Sequence, residues 1–170
     1  PLADHLPGVQ LVAPDLPGHG RSAHLAPGAE YTSGVAVNAV LDIADALGWD
    51  TFSLLGHSMA AEVVARYASE HAVGSTVAVS LFLPADEALR PRNLLIIDGA
   101  LEPSMLRDQA YAIAGATLGV RPEAGVTYGD FADGSARRIA FSPHVEHIGV
   151  LYSASSLAEA RDWFDRSFDR

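Results

Sequence analysis

The chain has 170 residues, 49% of them hydrophobic and 19% charged, which suits a single domain over residues 1–170 with one sizeable core. Its net charge of −10 argues against a nucleic-acid partner, which calls for a basic patch, and the absence of Cys excludes disulfides, thiolate nucleophiles and Cys-ligated zinc. No apolar run approaches the roughly 18–20 residues of a membrane span, and the first residues carry no basic signal-peptide region, so a cytoplasmic location is expected.

The first apolar run, Val9 to Ala13, reads as a strand, stopped by Pro14 and the turn-rich segment Asp15 to Ser22. Thr32 or Ser33 can cap a helix through Leu47, with Val37, Val40, Leu41, Ala44 and Leu47 on one face and Gly48 as its stop. Thr51 to Leu55 reads as a short strand, and Met59 to Glu70 as a helix. Thr76 to Phe82 is near-continuously apolar, as central parallel strands are, and Asn93 to Ile97 is a further strand.

Ser104 to Leu118 predicts another helix, closed by Gly119. Val126 to Tyr128 and Arg138 to Phe141 flank Asp133-Gly134, a hairpin signal. Ser156 to Phe168 carries a capping-box pattern, Ser156 with Glu159, ahead of a final amphipathic helix. Strand-then-helix repetition predicts an α/β fold: a mostly parallel sheet flanked by helices, with function at the carboxyl ends of the strands.

Gly56-His57-Ser58-Met59-Ala60 stands between a predicted strand and a predicted helix. A serine on such a tight turn projects its hydroxyl above the sheet, and small residues two places either side allow close backbone approach. The helix N-terminus then places backbone N–H groups and partial positive charge beside the oxygen, which suits a developing oxyanion.

A serine needs a base, and the base needs an orienting acid. Of seven histidines, His144 and His147 follow the last strand run. His147 is preferred because Pro143 ties His144 to the strand exit, while Ile148 to Leu151 reads as a buried return that fixes the ring of His147. Glu102, in the loop leaving Asn93–Ile97, is the preferred acid; Asp98 sits too close to the strand, and Asp86 is the main alternative. The order Ser58, Glu102, His147 follows one of the known triad orders.

Together these residues resemble the α/β-hydrolase superfamily, its esterase- and lipase-like serine hydrolases most closely, from about Val9 onward. Asp15 to Ser22 is similar to the D-x-P-G-H-G-x-S segment after an early strand, and Gly56 to Ala60 to the nucleophile elbow, with Ala60 replacing the usual second glycine. Asn93 to Glu102 is similar to the acid-bearing strand and loop, and His147 to Leu151 to the catalytic-histidine loop.

The resemblance implies a carboxylesterase-type enzyme with Ser58 as nucleophile, His147 as base, Glu102 as acid, the Met59 N–H in the oxyanion hole, and no metal or organic cofactor. It also implies a minimal core, N-terminally short by roughly 50–80 residues and lacking the first strands and a lid. If the Val9 strand fills the vacant slot, His19 and Gly20 supply the second oxyanion contact. Expected partners are a small ester and a second copy of the chain, joined at an exposed strand edge. The competing expectations are a non-catalytic ligand-binding module and a fragment of a larger hydrolase.

Overall fold

The computed structural model describes residues 2–83 and 89–170. Four strands form one parallel sheet in chain order: β1 (Leu54–His57), β2 (Thr76–Val79), β3 (Leu94–Gly99) and β4 (Arg137–Ser142). Four α-helices accompany them: α1 (Ser33–Leu47), α2 (Met59–Glu70), α3 (Ser104–Leu118) and α4 (Ala154–Ser167).

β2 and β3 are buried on both faces, which explains why their sequences show no polar alternation. Successive side chains still divide between the two layers. Leu95 and Ile97 pack with Val77, Val79, Trp163 and Phe164 beneath α4. Leu94 and Ile96 pack with Ala78, Ile139 and the alanines Ala61, Ala65, Ala110 and Ala114 of α2 and α3. Alanine on those inner helix faces lets both helices lie close to the sheet.

α1 packs on α2 through Val37, Val63 and Tyr67. Its start and stop match the expectation: the Thr32 hydroxyl accepts from the Val35 N–H, and Gly48 takes the left-handed conformation at φ 63°. α3 has its expected bounds and also closes on a left-handed glycine, Gly119.

Four expectations need correction. Val9 to Ala13 forms no strand; Leu11 and Val12 are exposed, and the segment borders a cavity of about 770 Å³ beside the outer edge of β1. It therefore does not move into the sheet beside β1, which has no neighbouring strand on that side among the described residues. Tyr128 and Arg137 make a single antiparallel bridge rather than a hairpin, because the Arg137 strand pairs instead with β3.

The capping box is not formed either: α4 begins at Ala154, the Ser156 hydroxyl bonds to that of Ser142, and Glu159 pairs with Arg138 at 2.7 Å. Lastly, β1 runs two residues beyond the expected strand, whereas β2 stops three short of it. β2 ends just before Ser80, which turns to φ 54° while its N–H still donates to the Ile97 carbonyl of β3 at 2.8 Å. Among the described residues, no helix is long and apolar enough to cross a membrane.

Candidate active site

β1 delivers the chain to Ser58, and α2 starts at the next residue. Between them Ser58 holds φ 56° and ψ −120°, a strained backbone for a residue with a Cβ. The Ser58 N–H donates to the Val79 carbonyl at 2.9 Å, and its own carbonyl accepts from Ala61 at 2.9 Å, so sheet and helix both fix the turn. A Cβ on Gly56 would overlap the backbone carbonyl of Ala60, which is why this position needs glycine. Ala60 itself is accommodated in α2.

Three of the predicted residues come together above the carboxyl ends of the strands. The Ser58 hydroxyl donates to His147 Nε2 at 3.0 Å, and His147 Nδ1–H donates to Glu102 Oε1 at 2.6 Å. Glu102 Oε2 accepts from the Gly99 N–H at 2.6 Å and from the Ser80 hydroxyl at 3.0 Å. The Glu102 side chain is 1% exposed and that of His147 is 40% exposed. A buried carboxylate with three donors thus backs an imidazole whose other edge meets a hydroxyl. That arrangement can draw the proton from Ser58 and hold the resulting imidazolium.

The loop carrying His147 is tied down on both sides. Val145 accepts from the Leu101 N–H at 3.0 Å, and the Glu146 carboxylate accepts from the Ile148 and Gly149 N–H groups, both at 2.8 Å. Those two bonds hold the Glu146 carboxyl below its ordinary value. A Cβ on Gly99 would collide with the Val145 carbonyl, so the loop sits directly on the end of β3. Val150, in the short 3-10 turn Gly149–Leu151, is the buried residue of the return, while Ile148 faces outward.

His144 lies in the turn after β4 at φ 61° and is exposed, and among the described residues no hydrogen bond joins it to Ser58 or Glu102. Met59 opens α2 with its side chain exposed. His19 and Gly20 lie in the turn Pro17 to Ser22, where His19 Nδ1 donates to the Pro17 carbonyl at 3.1 Å and Gly20 sits against Asp15. Among the described residues no hydrogen bond joins that turn to Ser58. Asp86 lies outside the described residues.

Three further residues take places that sequence reasoning did not give them. Ser80 looked like strand interior, yet its buried hydroxyl is a donor to Glu102. His57 Nε2 donates to the His147 carbonyl at 2.8 Å, and the two rings lie 4.6 Å apart. Burial holds its imidazole below the ordinary value, against the upward pull of the hydrogen bond to the His147 carbonyl.

Asp98, the third, is 1% exposed, and neither carboxyl oxygen has a hydrogen-bond partner. Burial first, and the charge of Glu102 second, push it up to about 7, against the pull of Arg107 and His147. The signal for Asp98 was present: an acidic residue at the end of a fully apolar strand. For Ser80 and His57 no local pattern points to the partner.

The profile of the alpha/beta hydrolase fold family matches residues 1–155. A serine hydrolase-like protein of Dictyostelium discoideum is 39% identical over 62 residues, 36% of this chain and 17% of that protein. One of Danio rerio is 38% identical over 60 residues, covering 35% and 18%, and one of Homo sapiens is 45% identical over 47 residues, covering 28% and 23%. The matched stretches therefore span less than a quarter of each relative. The crystal structure of a hypothetical protein from Pseudomonas aeruginosa superposes with a TM-score of 0.65 at 19% identity, covering 99% of this chain and 86% of that one, which speaks for the fold alone.

Proposed function

The chain belongs to the alpha/beta hydrolase family, and from that premise we propose that it is a serine hydrolase cleaving small carboxylic esters or thioesters through an acyl-enzyme on Ser58. The observation that carries this reading is the unbroken relay from Ser58 Oγ through His147 to Glu102, at 3.0 and 2.6 Å. Ser58 Oγ attacks the carbonyl carbon while its proton passes to His147 Nε2. Glu102 keeps the Nδ1 proton in place and stabilises the imidazolium. The Met59 N–H, at the start of α2, faces the developing oxyanion. Collapse breaks the bond to the leaving alcohol or thiol, which takes the proton from His147. A water activated by the same nitrogen then releases the acid and frees Ser58. No metal or organic cofactor enters this scheme.

The test is labelling by a fluorophosphonate probe. The wild-type chain should label, whereas Ser58→Ala and His147→Ala should lose labelling by about 10⁴-fold or more in rate. A folded wild-type chain that does not label overturns the reading. In that event Ala60 in the elbow and the cavity beside β1 would favour a non-catalytic ligand-binding module, or a piece of a larger hydrolase. The unpaired outer edge of β1 is also where two copies of the chain would pair, which sedimentation analysis would reveal as a dimer.

A further inference from the structure

We infer that His57 is a positioning residue, which tethers the backbone of His147 to the nucleophile turn and keeps the base in place while Ser58 is acylated. This rests on the serine hydrolase reading above. His57 is the last residue of β1, so the sheet fixes its backbone directly beside Ser58. Its Nε2–H donates to the His147 carbonyl at 2.8 Å, and the two rings lie 4.6 Å apart.

The other bonds that hold the His147 loop run elsewhere. Leu101, after β3, donates to the Val145 carbonyl, and Glu146 accepts from the loop's own Ile148 and Gly149. Glu102, which also follows β3, accepts from Nδ1–H. Among the described residues, two hydrogen bonds join residues 143–151 to β1 or Ser58: Ser58 Oγ to His147 Nε2, and His57 to the His147 carbonyl. The reaction itself removes the first of them. Once Oγ carries the acyl group it has no proton to donate. His147 Nε2 must then take a proton from water as the water oxygen bonds to the acyl carbon. The bond to Oγ breaks, and Oγ receives that proton back.

The second bond uses a backbone carbonyl, so neither chemical step touches it. A drift of about 1 Å at the acylated stage would cost about 10²-fold, and His57 is the contact that opposes it from the nucleophile's side. The ring also suits the task electrostatically. Burial holds it below its ordinary value, so at neutral pH it stays uncharged beside the imidazolium that forms on His147.

The experiment compares wild type, His57→Gln and His57→Asn on p-nitrophenyl acetate. The Gln amide nitrogen stands as far along the side chain as Nε2 and reaches the carbonyl, whereas the Asn nitrogen stops at the station of Nδ1. His57→Asn should lower kcat about 10²-fold but kcat/KM by less than about 10-fold. KM then falls with kcat, and a burst of p-nitrophenolate precedes slow turnover. His57→Gln should restore kcat to within about threefold of wild type. Lost packing alone would treat the two amides alike or lower kcat and kcat/KM together. Either pattern, or an Asn variant as fast as wild type, overturns the inference; where wild type still labels with the fluorophosphonate, the hydrolase reading stands.

A second arm needs no turnover: the low-field proton NMR signal of His147 Nδ1–H in Ser58→Ala, where the serine bond is gone. It should persist there, broaden away in Ser58→Ala/His57→Asn and return in Ser58→Ala/His57→Gln. That result supports the tether even where labelling fails and the hydrolase reading falls. A signal indifferent to residue 57, or absent from Ser58→Ala, overturns it.

Discussion

Asp98→Asn tests the electrostatics beneath the candidate site. The substitution keeps the shape of the side chain and removes its acid. In the folded chain Asp98 holds its proton up to about 7, against 3.8 ordinarily. Below 3.8 both states carry the proton, and the neutral group contributes its full stability. Between 3.8 and 7 the unfolded chain has released the proton while the folded chain keeps it, so stability falls as pH rises. Above 7 both are ionised and the contribution is level. At ~1.4 kcal/mol per pH unit the whole window is worth roughly 4 kcal/mol, and the part between about pH 5 and 7.5 roughly 3 kcal/mol.

Asn leaves a buried amide that costs about 1–3 kcal/mol, but that cost does not vary with pH. The assay is urea unfolding of both chains across that pH range. Asp98→Asn should gain on wild type by roughly 3 kcal/mol from about pH 5 to 7.5. Unfolding free energies that run parallel with pH, within about 0.5 kcal/mol, would refute the argument that this carboxyl is buried neutral.

Ser58→Gly should be more stable than Ser58→Ala by about 1–2 kcal/mol in thermal or urea unfolding, because glycine relieves the φ of 56°, while both abolish probe labelling. Ser80→Ala should cost about 1–3 kcal/mol in the same unfolding measurements and slow labelling, since it removes one donor from the buried Glu102 carboxylate. Gly56→Ala should destabilise the chain severely and abolish labelling, because the added methyl overlaps the Ala60 carbonyl.

The helices were the most legible part of the sequence because their ends are set locally. Thr32, Gly48 and Gly119 act within a few residues of where they stand, and α1 and α3 appear with the expected bounds. Strands depend on partners distant in sequence. Val9 to Ala13 has a strand's composition but makes no ladder with the β1 edge it lies near, and Gln10 to Ala13 are exposed. Ser156 and Glu159 have capping-box spacing, yet Ser142 and Arg138 claim their side chains from across the fold. The convergence of Ser58, Glu102 and His147 was legible because each follows a strand of a parallel sheet, whose carboxyl ends all face one way. The donors behind Glu102 were not, since a serine at the end of an apolar run has no signature of its own.

The sheet's order equals its chain order, so each strand pairs with the one before it. Ser58 follows the first strand of the sheet, Glu102 follows the third, and His147 comes 89 residues after Ser58. A nascent chain that has emerged only as far as α3 therefore carries Ser58 and Glu102 without His147 to join them. Reactivity would switch on only when the last crossover settles, so a probe added during synthesis would time the completion of the fold.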